Sequence, residues 1–303
     1  MTFLALLTKE LRLSLRRERT VWVIIAYILL MGLIGWFSLN AFSSSNTING
    51  SGLSNVGLNL YYILSVMQLF LLIFITPAFT STTVNGEKER QTFDMLLCSQ
   101  LSSLSLVGGK LLASLMNAFL LIAASVPLFS LVFFFGGIGP AQLLIALLIY
   151  SVTTIMIGTF GLFCSTIFRR PAASTAIAYM SALAWLVLPL IIFYIILISS
   201  PAFGSSLVSG NRPSIMFIWN PVYVLFTTFP SGAAIGNYSF AKLSIAPWLA
   251  YTVISVIVTA LLFLLCLWTV KPNTLGRLPR ARKAPYDVVQ HTSSEEATIS
   301  ALP

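Results

Sequence analysis

The sequence predicts an all-α integral membrane protein with six transmembrane helices, an N-terminal amphipathic interfacial helix and both termini cytoplasmic. Three observations carry that prediction. Of 303 residues, 57% are apolar and only 8% charged, against roughly 25% charged in an average soluble domain. Six runs lack Asp, Glu, Lys, Arg and His altogether, and each is long enough to cross about 30 Å of hydrocarbon at about 1.5 Å per residue. Threading those runs through a membrane places fifteen of the seventeen basic residues on one side, as the excess of Lys and Arg in cytoplasmic loops requires.

In chain order, residues 1–20 form a cytoplasmic connecting helix, 21–270 the six-helix membrane domain and 271–303 a basic and then disordered cytoplasmic tail. The lead-in places Phe3, Leu4, Leu7, Leu11 and Leu15 on one helical face, with Lys9, Arg12, Arg16 and Arg19 largely elsewhere. Such a helix lies along the headgroups with its cations toward anionic lipid. The first apolar run, Val21 to Leu39, is longer than the core of a cleaved signal and lacks a clean small-x-small site after it. It is expected to be retained as a span.

The remaining spans are Leu58 to Ser81, Leu111 to Phe135, Ala141 to Phe168, Ala172 to Ser199 and Pro247 to Val270. Helices satisfy their own backbone at these lengths, and the alternating pattern of barrel strands is absent. Ser214 to Phe229 is apolar but short and carries Asn220-Pro221 at its middle. A seventh crossing there would put the termini on opposite sides and spoil the charge bias, so the outer loop 200–246 is read as re-entrant or interfacial.

The net charge of +9 is spread over four cytoplasmic segments, as topology demands, and predicts no nucleic-acid partner. Its dense cluster, Lys271 to Lys283, follows a span directly and reads as a stop-transfer segment in contact with lipid. Cys98, Cys164 and Cys266 form no C-x-x-C pair, and His291 is alone. Neither a metal site nor a structural disulfide is expected. Without ionisable groups at depth an intramembrane enzyme is not expected either, and no catalytic residue is assigned. No G-x-x-x-x-G-K-[ST] cradle occurs. Gly108-Gly109-Lys110-Leu111 reads instead as a flexible entry to the third span, with Lys110 at the headgroups.

The loop between spans two and three, 82–110, combines mixed charge with an apolar face, where cations dominate the other cytoplasmic segments. Glu87 to Cys98 can form a short helix with Phe93, Leu96 and Leu97 on one side and Glu87, Lys88, Glu89 and Arg90 at its start. Such a helix can press apolar side chains into a partner's groove while its charges set register.

On these residues the chain resembles the permease subunits of ABC-2 type transporters, related to the ABCG-like membrane domains. The matching pattern is Glu87, Glu89 and Arg90, then Thr92, Asp94, Leu96, Leu97, Leu101, Ser102 and Gly109-Lys110. It departs at Gln91, where Gly is usual, and at Ser99-Gln100, where Thr-Pro is usual. The resemblance implies export across the cytoplasmic membrane by a dimer of permeases, homo- or heterodimeric, on two copies of a separate ATPase subunit. ATP and Mg then sit on that partner, with no cofactor in this chain. Glu87, Glu89, Arg90, Thr92, Phe93, Asp94, Leu96 and Leu97 would form the coupling helix, and the chain itself would be no enzyme.

Two features of the spans remain open at this level. Ala172, Ser174, Ala176, Ala178 and Ala182 place small residues at four-residue steps in span five, a pattern that lets helices approach closely in lipid. It marks a helix interface within the chain or with a second permease. Gln68 and Asn117 are the main amides at depth, either interhelical hydrogen bonds or contacts in the path. An ion-coupled secondary carrier or a membrane assembly factor remains an alternative to the ATP-driven permease, and the substrate is not legible.

The charge bias makes a topological prediction. In sealed right-side-out vesicles, Cys98 resists an impermeant maleimide, while a cysteine introduced by Ser209→Cys reacts. Labelling of Cys98 from outside would overturn the six-span scheme.

Overall fold

The computed structural model describes residues 18–49, 53–89, 103–168, 170–199, 218–229, 238–240 and 243–270. Of the predicted connecting helix (1–20), residues 1–17 lie outside the described residues and 18–20 begin the first long helix; the basic tail (271–303) lies outside them as well. Among those described, six helices are long and apolar enough to cross a membrane. They are α1 (Glu18–Asn49), α2 (Leu53–Thr80), α4 (Ser103–Phe135), α5 (Pro140–Ile167), α6 (Pro171–Ser199) and α8 (Pro247–Val270). Two short helices, α3 (Asn85–Glu89) and α7 (Pro221–Thr227), join them.

Strands β1 (Tyr238–Phe240) and β2 (Leu243–Ile245) pair antiparallel ahead of α8, with Phe240 opposite Leu243. This small hairpin is an addition to the all-α expectation. Two boundaries also move. Helix α1 continues ten residues beyond its apolar run, to Asn49. Helix α4 begins eight residues before its run, at Ser103, and takes Gly108 and Gly109 into the helix. The flexible entry expected there is therefore corrected to regular helix, because Leu106 and Val107 bury against Val84, Leu162 and Cys266 and hold the first turns in place.

Helix α5 is the hub of the bundle: α2, α4, α6, α7 and α8 all pack on it. Two of its glycines let α4 and α2 come close. A Cβ on Gly158 would lie 2.5 Å from Leu115 Cδ2 and 3.3 Å from Thr80 Cγ2, and one on Gly161 would run into Thr80 Oγ1. Small residues let backbones come this near, and in lipid the resulting dispersion contact replaces the missing hydrophobic drive between helices. A third glycine, Gly57, admits the carbonyl of Gly136 from the α4–α5 turn. That turn needs Gly136 (φ 79°) and Gly137 (φ 95°) in the left-handed region, where a Cβ is strained.

An aromatic cluster closes the other half of the core. Tyr61 meets Phe129 edge-on at 6.0 Å and Phe229 at 5.3 Å, and Phe129 stacks on Tyr150 at 6.4 Å. The hydroxyl of Tyr150 donates to the Ser65 carbonyl at 3.2 Å. Tyr27 of α1 donates to Gln68 Oε1 of α2, fixing α1 to the core through a fully buried amide. Thr153 of α5 and Tyr251 of α8 share a hydrogen bond of 2.7 Å. Each of these contacts gives a polar group at depth a partner from another helix, as an apolar surrounding demands.

Helix α7 has seven residues, too few to span. Asn220 caps it by accepting from Val222 N at 2.9 Å, and the same amide donates to Leu186 O of α6 at 3.1 Å. Pro221, Val224 and Leu225 are buried. The Asn220-Pro221 pair thus starts a short helix docked into the bundle.

Gly161→Ala should cost roughly 1–3 kcal/mol, because the added methyl has no space against α2. Gly32→Ala is the control: nothing lies within 4 Å of its added Cβ, and alanine gains up to about 1 kcal/mol of helix propensity. Thermal unfolding in detergent, followed by loss of the monodisperse peak, should show the first variant falling and the second holding or rising.

Candidate functional site

The sequence pointed to the segment after span two, and the structure shows how the start of that segment is held. Residues Ser81–Val84 form the turn that leaves α2, and α3 follows without a break. Three helices grip this short piece.

Helix α5 contributes most. Ser165 Oγ accepts from both Val84 N at 3.0 Å and Asn85 N at 3.1 Å. In the orientation that satisfies its surroundings, the fully buried Asn85 side chain donates through Nδ2 to Ser165 O at 2.6 Å and to Phe168 O. Those carbonyls belong to the last turn of α5 and to its C-cap residue, where a helix by itself leaves carbonyls without donors. Lys88 Nζ donates to Thr166 O of the same turn at 2.5 Å, where a cation also meets the negative end of the helix dipole.

The other grips come from α6 and α4. Ser174 Oγ of α6 donates to Ser81 O at 2.8 Å. Lys110 of α4 forms an ion pair with Glu87 and donates to Thr83 O at 3.3 Å. Lys110 is only 2% exposed, whereas the Glu87 side chain is 30% exposed. A buried ammonium needs such partners because its own desolvation is costly. The headgroup position expected for Lys110 is therefore corrected. The cation lies inside the bundle end because α4 starts early and runs beneath the turn.

The sequence-predicted residues divide accordingly. Glu87 and Glu89 lie on α3, while Arg90, Thr92, Phe93, Asp94, Leu96 and Leu97 fall outside the described residues. Of the small residues in α6, Ser174, Ala178 and Ala182 are buried within the chain, and Ala172 and Ala176 face away from it. Gln68 and Asn117 are both buried, and Gln68 binds Tyr27 as described above.

Asn85, Ser165, Thr166 and the Lys110–Glu87 pair escaped sequence reasoning as a unit. Their partners are 80, 81, 78 and 23 residues apart, and no periodicity links positions on different helices. The one available signal was a lone lysine directly before an apolar run beside a loop holding three of the chain's eight acidic residues.

The arrangement is a mechanical clamp: a helix start anchored by short polar contacts to the ends of three membrane-spanning helices. Comparison with known proteins finds a family model, described as ABC-2 family transporter protein, matching residues 40–268. No curated protein matches the chain.

Removing one partner of the ion pair tests the clamp. Glu87→Gln should destabilise by on the order of 1–3 kcal/mol, since Lys110 keeps its charge and loses its counter-ion. Adding Lys110→Met to that variant should recover part of the loss, and a double-mutant cycle of unfolding midpoints gives the coupling.

Proposed function

This chain belongs to the ABC-2 transporter family, and from that premise we propose that it is the permease subunit of an exporter driven by a separate ATPase. Family membership makes it a multi-pass membrane component of transport. The ATPase, bound as two copies with ATP and Mg, engages the cytoplasmic segment that begins at α3. Two permeases, identical or not, pair across the membrane, and both termini lie in the cytoplasm.

The observation that carries this reading is the clamp of Ser81–Glu89 onto α4, α5 and α6. A coupling element works only if a push on it moves the spans and not merely a loop. Here the first five residues of the segment, Asn85–Glu89, are tied to α5 by Ser165 and Thr166 and to α4 by Lys110. The preceding turn is tied to α6 by Ser174. Displacing α3 therefore strains contacts to three spans at once. Packed interfaces of this kind shift between discrete arrangements and do not bend gradually. Beyond α3, Phe93 and the Leu96-Leu97 pair supply the apolar contact to the ATPase, and Arg90 and Asp94 its register.

The proposal separates binding from transmission. Burying Phe93 in a partner's groove contributes on the order of 2 kcal/mol, so Phe93→Ala should lower copurification of the ATPase while leaving permease abundance near wild type. Asp94→Lys should do the same by placing a wrong-sign charge in the contact. Ser165→Ala leaves that contact surface intact, so the ATPase should still copurify, but ATP hydrolysis should no longer be matched by transport in proteoliposomes. Wild-type coupling in all three variants at normal abundance would remove this segment from the mechanism.

A further inference from the structure

A half-open cleft of about 260 Å³ lies over α5 between α6 and α8, away from the clamp. Both flanking helices pack on α5, yet they barely touch one another. The walls are Phe160 of α5, Ala178, Ala182 and Trp185 of α6, and Leu262 of α8, with Trp219 ahead of α7. The space exists because Ala178 and Ala182 stand where larger side chains would close the gap.

The surface it offers is hydrocarbon. Ser181, the hydroxyl in the wall, already donates to Ala178 O at 2.9 Å, and Trp185 Nε1 is buried. At about 1.5 Å per residue, the lining positions lie roughly 10–20 Å along α5, α6 and α8 from the helix ends that adjoin the clamp. Within a hydrocarbon core about 30 Å thick, that is the depth of lipid tails. The lips continue into exposed apolar surface, Ile177 and Leu188 on α6 and Ile257 and Leu261 on α8.

We infer that this cleft binds a single hydrocarbon chain of a membrane lipid, laid along α5 between α6 and α8. Water is a poor occupant, because it needs several polar partners and an apolar cavity stays dry. A headgroup is excluded by depth and by the absence of charge in the walls. Drug-sized pockets begin at roughly 300 Å³, so the volume suits one chain segment and no bulkier body. An empty cleft would forfeit the dispersion contacts of all its walls. The site uses this chain's own surface, and its occupancy does not depend on an ATPase partner or on transport.

The experiment uses the full chain in nanodiscs doped with a phospholipid carrying a photoactivatable diazirine at mid-chain. Peptides containing Phe160, Trp185 and Leu262 should be labelled several-fold more, relative to their exposed area, than the open face of α1 around Leu29 and Leu33. Ala182→Phe should lower cleft labelling several-fold and leave α1 labelling unchanged. Leu262→Trp fills the cleft from the opposite wall and provides the same readout should the first variant fail to fold. Labelling that merely follows exposed area, or that persists in a folded filled variant, would overturn the site. Equal labelling of the cleft by a headgroup diazirine would overturn the assignment to a chain.

Discussion

The close approach of α2 and α5 at Gly158 and Gly161 is the constraint on which the rest of the bundle depends. Because both positions lack a Cβ, Thr80 can lie against α5, and the end of α2 is delivered to the end of α5. Only then can Ser165 meet Val84 and Asn85, and only then does the turn Ser81–Val84 sit where Lys110 and Ser174 reach it. A few ångströms of added separation would leave carbonyls at the end of α5 and the buried ammonium of Lys110 without these partners.

Polar contacts are placed sparingly along the spans and concentrated at one end. In the middle of the bundle, single pairs such as Tyr27–Gln68 and Thr153–Tyr251 fix helix rotation. At the clamp, the contacts share residues: Ser165 accepts twice, Asn85 reaches two carbonyls and Lys110 reaches a carboxylate and a carbonyl. Shared partners make the contacts break together, so this end behaves as one mechanical body. On the proposed reading, that body joins a driving subunit to the spans.

The small residues of α6 serve two faces of the same helix. Ser174, Ala178 and Ala182 turn inward, where Ser174 binds the clamp and the two alanines line the cleft against α5 and α8. Ala172 and Ala176 turn outward, leaving their backbone accessible to close approach by another helix. One sequence pattern therefore feeds an intrachain contact, a lipid-sized gap and an open surface. The four-residue steps by themselves could not separate these.

The sequence by itself determined the class, the number of long helices and most of their limits, because lipid imposes a rule on every residue of a span: no charge, and a backbone bonded to itself. That rule is local and so is legible in runs such as Pro247 to Val270, where run and helix coincide. It also pointed to the family, through residues of the loop after span two, and the family model's match over 40–268 bears that out. The tertiary structure alone decided that α4 starts at Ser103, that Lys110 is buried, that Asn85 and Ser165 are partners and that α6 and α8 stand apart. These depend on which helices become neighbours. Hydropathy, which treats each span alone, carries no term for that choice.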